Sequence, residues 1–160
     1  YKMYFAVLNA ADYGVPQIRQ RVFFFGTKLD SDLKFPLPTH GNSKDLIPYE
    51  TVETWIMDLA TKQNGIPNHI LLNHSETVIA RYKLIPEGGK LPPPNELPEE
   101  IRRKNFGNTY KGLSRNQPAL TMVPGNNAFP IHPTEHRSLS PREAARLQTF
   151  PDDFIFEGDR

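Results

Sequence analysis

The pattern of apolar and polar positions predicts two strands near the start of the chain. Residues 4–8 and 21–26 are short apolar runs rich in Val and Phe, and turn-forming residues separate them at 12–16. We therefore predict a hairpin that belongs to a larger sheet. The run from Val22 to Phe25 is apolar throughout, which indicates burial on both faces and requires neighbouring strands that this chain hardly supplies.

Apolar residues at helical spacing predict helices further along. Over residues 51–59 the apolar positions fall at i, i+3, i+4 and i+7, and the Thr51 hydroxyl is placed to cap the first turn. A second helix is predicted over residues 76–83. A brief one is predicted over residues 99–104, where Pro98 favours a helix start.

The clearest local signal lies near the end of the chain. Ser140 and Glu143 have the spacing of a capping box, in which each side chain accepts from the other residue's amide, and Pro141 occupies the first helical position. The sequence therefore predicts a helix over residues 141–148.

Composition narrows the class of protein. A chain of 160 residues with 38% hydrophobic content has the size of one globular domain, and 16 prolines, about twice the average usage of roughly 5%, predict many loops. No apolar run approaches the roughly 18 residues of a membrane span, so we expect no membrane partner. The absence of cysteine excludes a disulfide, a thiolate zinc site and a cysteine nucleophile within this chain.

Two pairs of histidines have spacings that metal ligands can adopt, His69 with His74 and His132 with His136. They lack clustered carboxylates or cysteines, so we predict no metal site.

The formal net charge is only +1, but the charges are unevenly distributed. Residues 101–134 contain no acidic residue, and residues 13–29 are likewise free of acid. The basic residues of these two stretches are Arg102, Arg103, Lys104, Lys111, Arg115, Arg19, Arg21 and Lys28. Such asymmetry suits contact with a phosphate backbone, while a solvated basic face is the alternative interpretation.

Gln17, Arg19 and Arg21 are spaced by two, so in an extended strand all three project from one face. Two guanidiniums and an amide form a donor array suited to a carbonyl oxygen of a base or to phosphate. In the alternative interpretation, the arginines pair with carboxylates of another domain and hold a sheet together.

Several segments carry a resemblance to a known family. NAADYGVPQIRQRVFFFG at 9–26 resembles the eighth motif of DNA cytosine-5 methyltransferases, and HRSLSPREAARLQTFPDDF at 136–154 resembles the ninth. Between them THG at 39–41, TVETWIMDL at 51–59 and RYKLIPEGG at 81–89 are similar to features of the bacterial restriction-modification branch. The chain thus resembles the carboxy-terminal portion of such an enzyme.

The resemblance implies an α/β fold in three parts. Residues 1–28 would form an edge hairpin of a Rossmann-like methyltransferase sheet. Residues 29–135 would form a small, loop-rich α+β target-recognition domain, and residues 136–160 the helix and tail of the ninth motif.

Enzymes of this family flip cytosine out of the duplex, attack its C6 with a cysteine thiolate, and methylate C5 from S-adenosylmethionine. The resemblance implies that Arg21 reaches the O2 edge of the flipped base, with Arg19 and Gln17 supporting the active-site wall. The cofactor-binding residues and the nucleophile would lie in an amino-terminal part outside this chain, so we expect the chain alone to be inactive.

The resemblance also implies DNA contacts in the recognition region. Thr121, followed by Met122, approximates the family's threonine-aliphatic pair and would bond a phosphate beside the flipped base. Arg115 suits guanine, while Asn116 and Gln117 suit adenine. For Asn116 or Gln117 taken singly, an exposed loop position is the preferred interpretation.

In the predicted helix, Arg142, Glu143 and Arg146 are expected to brace the recognition region against the sheet. Arg137 is expected to add a contact to DNA or between domains.

The leading hypothesis is the recognition portion of a bacterial, cytoplasmic restriction-modification methyltransferase that acts on double-stranded DNA alongside a cognate restriction endonuclease. One alternative is a stand-alone or degenerate DNA-binding fragment or subunit without catalysis. A third, an interaction module unrelated to nucleic acid, requires both motif matches to be accidental.

Overall fold

The structure is a computed structural model that describes residues 1–30, 32–61, 65–102, 110–122 and 129–158. The predicted basic residues Arg103 and Lys104, and the end of the helix predicted over residues 99–104, lie outside these ranges.

Regular elements are short and widely spaced, as the proline content predicts. The strands are Lys2–Asn9 (β1), Gln17–Ile18 (β2), Gln20–Thr27 (β3) and Ala119–Leu120 (β4). The α-helices are Val52–Ile56 (α1), Glu76–Tyr82 (α2) and Pro141–Arg146 (α3). Single 3-10 turns cover Ala10–Tyr13, Met57–Ala60, Pro94–Glu96 and Glu99–Ile101. Within the described ranges, no helix has the length and apolar character needed to cross a membrane.

The predicted hairpin is confirmed as an antiparallel pair of β1 and β3, with Lys2 opposite Thr27 and Asn9 opposite Gln20. The apolar run of β3 is not buried within this chain. Its four residues remain 50–72% exposed, because β1 and β3 pair only with each other among the described strands, so the predicted burial requires neighbours from outside the described residues. We call this two-stranded sheet, with its exposed apolar faces, the apolar ribbon.

The second sheet joins distant parts of the chain. β2 pairs in parallel with β4, so that Gln17 lies opposite Ala119 and Ile18 opposite Leu120. The amide of Ala119 also donates to the carbonyl of Pro16 at 2.8 Å. The segment before β3 is therefore attached directly to the region between the two family-like motifs.

The main hydrophobic core lies between α1 and α3. Val52 and Ile56 of α1 pack with Leu113, Leu139 and Leu147, and each of these side chains is at most 2% exposed. A second, smaller cluster is formed by Tyr82, Tyr110 and Ile131. The helix predicted over residues 51–59 is confirmed, with Thr51 as its cap and a 3-10 last turn.

The predicted capping box of α3 is confirmed. The Ser140 hydroxyl accepts from the Glu143 amide at 3.1 Å, and the Glu143 carboxylate accepts from the Ser140 amide at 2.7 Å. Two further donations from Arg137, at 2.8 and 2.7 Å, reach the same fully buried carboxylate. Together they hold the pKa of Glu143 below its ordinary value although burial acts to raise it.

The other charged residues of α3 brace loops rather than the apolar ribbon. Buried Arg142 donates to the carbonyls of Pro67 at 2.9 Å, Pro151 at 2.7 Å and Phe154 at 2.6 Å. Arg146 pairs with Asp58 and Asp152, each at 2.6 Å. These contacts join α3 to Asp58, to Pro67 and to the tail rather than to the apolar ribbon, so the expected bracing against the sheet is not observed.

Buried His132 predicts a pH-dependent stability. Its Nδ1 accepts from the amides of Thr134 and Glu135, so the ring is neutral, and burial lowers its pKa from 6.5 to about 4. A histidine whose pKa is lowered on folding has no effect on stability above about pH 6.5 and destabilises the fold increasingly as the pH falls towards 4.

We expect the unfolding free energy to fall by roughly 1 kcal/mol per pH unit between pH 6 and 5 on account of His132. Urea denaturation of the wild type and of His132→Asn at pH 7, 6 and 5 measures this, since the variant should show a shallower slope. Equal slopes in the two proteins would contradict the assignment.

Candidate nucleic-acid interface

Arg19 lies between β2 and β3, where hydrogen bonds to Asn9 and Ala10 hold its backbone. The Arg19 amide donates to the Asn9 side-chain oxygen at 2.9 Å, and the Arg19 carbonyl accepts from the Ala10 amide at 3.0 Å. Gln17 and Arg21 belong to different sheets. The expectation that all three side chains converge is not confirmed, because Gln17 is buried whereas Arg21 is exposed.

Arg19 and Arg21 nevertheless meet at one cavity of about 290 Å³. The other residues that line it are Leu8, Ala10, Tyr13, Phe23 and Pro36. Arg21 donates from Nη1 to the carbonyl of Gln20 at 2.6 Å, and the residue is exposed. Two guanidiniums at an otherwise largely apolar wall suit a planar ring that bears a carbonyl oxygen.

Gln17 lies apart from this cavity. Its side chain is only 1% exposed, and its Nε2 has no hydrogen-bond partner among the described residues. A buried amide donor without a partner is costly, which marks the position as unusual. Its supporting role at the active-site wall stays a prediction.

Asp12 holds the wall of the cavity in place, and the sequence reasoning did not identify it. Its carboxylate accepts from the Tyr49 hydroxyl at 3.0 Å, and its carbonyl accepts from the amides of Thr39 and His40 at 2.9 and 3.0 Å. The neighbouring Tyr13 donates to the carbonyl of Pro36 at 2.9 Å. The THG segment is thus fastened to the turn that precedes β2.

Thr121 lies next to the segment that carries Arg19, although the two are far apart in sequence. Its exposed hydroxyl donates to the carbonyl of Ile18 at 2.6 Å, immediately beyond the pairing of β2 with β4. The structure therefore brings together two segments that the sequence singled out separately. The contact of Thr121 with phosphate stays a prediction.

The loop that begins at Arg115 is fixed to the start of α1. The carbonyl of Arg115 accepts from the Glu53 amide, and the carbonyl of Gln117 accepts from the Val52 amide, both at 3.0 Å. These bonds satisfy amides at the helix N-terminus that have no partner within the helix. Asn116 lies between the two bonded carbonyls, and the side chains of Asn116 and Gln117 are exposed. The contact of these two side chains with DNA bases stays a prediction.

Arg115 also has a partner that sequence reasoning missed. One Glu87 oxygen accepts from the Arg115 amide at 2.8 Å and from its Nε at 3.2 Å. These hydrogen bonds lower the pKa of the Glu87 carboxyl. The glycine pair after Glu87 predicts a turn, but it does not predict which segment the turn contacts.

Arg137 donates to Glu143 and, at 3.1 Å, to the carbonyl of Ser138. These contacts favour a structural role, and its predicted contact to DNA or between domains stays a prediction.

Three of the paired histidines, His69, His74 and His132, bond to hydroxyls or amides. His69 Nδ1 lies 2.8 Å from the Ser140 hydroxyl, and His74 Nε2 lies 3.1 Å from that of Ser138. In the described part of the chain, no three His, Cys, Asp or Glu side chains are grouped as metal ligands.

Comparison with known proteins decides the family. The model of the C-5 cytosine-specific DNA methylases matches residues 1–160. The chain belongs to this family. Members of the family methylate DNA and use S-adenosylmethionine, and the mixed α/β structure with small sheets agrees with that of a DNA methyltransferase.

Three relatives illustrate the match. The Type II methyltransferase M1.HphI of Haemophilus parahaemolyticus is 35% identical over 100% of this chain and 42% of its own length. The Type II methyltransferase M.AquIB of Picosynechococcus sp. is 38% identical over 99 residues, which are 62% of this chain and 66% of that protein. The crystal structure of a candidate DNA modification methyltransferase encoded within a prophage (E. coli) has a TM-score of 0.63 and 25% identity, over 95% of this chain and 51% of that one.

The chain therefore spans less than half the length of M1.HphI. Because these relatives are Type II methyltransferases, the chain falls in the restriction-modification class of the family.

The bond between Thr121 and Ile18 predicts a small but measurable stability. We expect Thr121→Val to lower the unfolding free energy by about 0.5–1 kcal/mol, because the bond lies at the surface. Thr121→Ser keeps the hydroxyl and should remain close to the wild type. Urea denaturation followed by the fluorescence of Trp55, the single tryptophan, measures both. Equal losses in the two variants would contradict a role for the hydroxyl.

Proposed function

We propose that this chain is the target-recognition portion of a Type II DNA cytosine-5 methyltransferase, together with the segment that contacts the flipped cytosine. The observation that carries the proposal is the junction of β2 with β4, where Thr121 bonds to the segment before Arg19. A surface that reads DNA and a cavity that receives one base must be adjacent, because the extruded base stays joined to the strand being read.

In this proposal the cavity at Arg19 and Arg21 receives the cytosine ring. The apolar residues pack against the ring, and the Arg21 guanidinium donates to O2. When a thiolate adds to C6, negative charge develops on the ring, and a fixed cationic donor at O2 stabilises that charge more than it stabilises the neutral base. Since the chain has no cysteine, the thiolate comes from another segment or another chain.

The described residues do not fit S-adenosylmethionine. β1 leads into a 3-10 turn rather than a glycine-rich loop before a helix, and the cavity presents two arginines. A sulfonium cation is repelled by two guanidiniums and gains nothing from them. We place the methyl donor and its binding residues outside this chain, so the chain alone is inactive.

The apolar ribbon supports a place for residues 1–28 at the edge of a Rossmann-like catalytic sheet. Phe5 and Phe24 are 73% and 72% exposed, a degree of exposure that an adjoining catalytic domain would remove. Residues 29–135 then form the recognition domain, and residues 136–160 the ninth-motif helix and tail. The proposed setting is the bacterial cytoplasm, with a cognate restriction endonuclease that cleaves the same unmodified sites.

A separate recognition subunit is the second candidate. M.AquIB favours it, because the aligned 99 residues make up 66% of that protein, which is therefore a short chain. In that case the catalytic residues come from a second polypeptide.

We expect the chain to bind duplex DNA with an affinity that weakens steeply as salt rises, since its cations displace counterions from phosphates. Arg115→Ala should weaken binding about tenfold or more at fixed salt, and Arg21→Ala should have less effect on a duplex that is not flipped. Mobility shift across a salt series measures this, with Lys44→Ala as a control that removes one charge elsewhere. No binding at low salt by the folded chain would contradict self-sufficient recognition.

A further inference from the structure

The glycine turn that precedes Lys90 is docked against the segment that leads to Arg115. The Gly88 amide donates to the Leu113 carbonyl at 2.9 Å, and the Gly112 amide donates to the Gly89 carbonyl at 2.9 Å. The contact is close: a Cβ at Gly112 would lie 2.8 Å from the Pro86 carbonyl oxygen.

The left-handed backbone of Gly88, with φ of +70°, forms this turn and leaves the preceding Glu87 beside Arg115. The backbone at Glu87 is thus held by the hydrogen bonds of the glycine turn, and its carboxylate is held by the amide and the Nε of Arg115.

The Glu87 carboxylate binds one edge of Arg115. It accepts from the backbone amide at 2.8 Å and from Nε at 3.2 and 3.3 Å. The side chains of Arg115 and Glu87 remain 42% and 33% exposed. Because Nε is occupied by Glu87, the outer edge formed by Nη1 and Nη2 is the edge available to a ligand.

Arg115 is also fixed on its other side, where its carbonyl accepts from the Glu53 amide at 3.0 Å. A guanidinium held at its backbone and at Nε loses less conformational entropy on binding than a free arginine does. Two adjacent N–H donors in one plane match O6 and N7 of guanine in the major groove.

We propose that Glu87 is a positioning residue for specificity, which orients Arg115 to read guanine with Nη1 and Nη2. This rests on the proposed recognition function. Glu87 has a second effect, because its negative charge offsets the attraction of Arg115 to phosphate. It therefore favours discrimination between bases over general affinity for DNA.

The test is selection of binding duplexes from a randomised pool by the complete chain, followed by salt-dependent binding to one selected and one unrelated duplex. Wild type should enrich guanine at one position. Arg115→Ala should lose that preference, and so should Arg115→Lys, which keeps the charge but not the two-donor edge. Glu87→Ala should reduce the preference about tenfold, the lower part of the range for a bidentate contact.

The distinguishing readout is binding to the unrelated duplex. Glu87→Ala should bind it as tightly as wild type or more tightly, with a steeper salt dependence, because a carboxylate has been removed from beside a cation. A merely structural loss would weaken binding to both duplexes. Glu87→Gln, which keeps an acceptor oxygen, should lie between wild type and Glu87→Ala. Glu96→Ala is the control. It removes an exposed glutamate whose carboxylate accepts no hydrogen bond from a described residue, so its binding to both duplexes should match that of wild type.

Two results separate the possible failures. If Arg115→Ala loses the guanine preference while both Glu87 variants keep it in full, positioning by Glu87 is overturned and the recognition function stands. If the folded wild type enriches no sequence at all, the proposed recognition function fails, and the inference fails with it. Should Glu87→Ala prove unfolded by circular dichroism, Glu87→Gln decides by the same criteria.

Discussion

The pairing of the buried Glu143 carboxylate is the interaction on which the packing of α3 against the rest of the chain depends. The carboxylate accepts from the Ser140 amide, which completes the capping box of α3, and it accepts from Nη1 and Nη2 of Arg137. A buried charge is tolerated only when it is fully paired, so the loop that carries Arg137 and the start of α3 are fixed relative to each other. The apolar side of α3 then packs on α1, and Arg142 secures the loop at Pro67 to the tail.

Outside the β1–β3 pair, this proline-rich chain is held together by side-chain hydrogen bonds and isolated backbone hydrogen bonds rather than by long paired strands. Carbonyls of Arg115 and Gln117 satisfy the first amides of α1, and the Asn9 side chain satisfies the amide of Arg19. Each such bond joins segments that are separated in the sequence. The candidate DNA-contacting residues therefore lie on irregular backbone that regular elements anchor, as is common for binding sites.

The success of the sequence predictions follows the range of the interactions involved. The cap of α3 was predicted because Ser140 and Glu143 are three residues apart and bond to each other. Pairing of β1 with β3 was predicted from two apolar runs and a turn between them. The burial predicted for β3 is not seen within this chain, since burial depends on what lies beside a strand rather than on the strand itself.

The candidate site follows the same rule. Arg19 and Arg21 were identified as a pair, but the burial of Gln17 accompanies its pairing with Ala119, which lies about a hundred residues later in the chain. The pairing of Glu87 with Arg115 joins residues that are 28 positions apart, and it depends on how the glycine turn packs against the later segment. No pattern of apolar and polar positions predicts such a contact.

The apolar ribbon has a consequence for the behaviour of the chain in isolation. Both of its strands have an unpaired edge within the described structure, and its faces present Phe5, Phe23, Phe24 and Phe25 to solvent. Exposed edges of this composition recruit further strands, which is the first step of aggregation. Yield and solubility of the separately expressed chain should thus be governed by the apolar ribbon, and they should improve when a protein surface that shields the ribbon is supplied during synthesis.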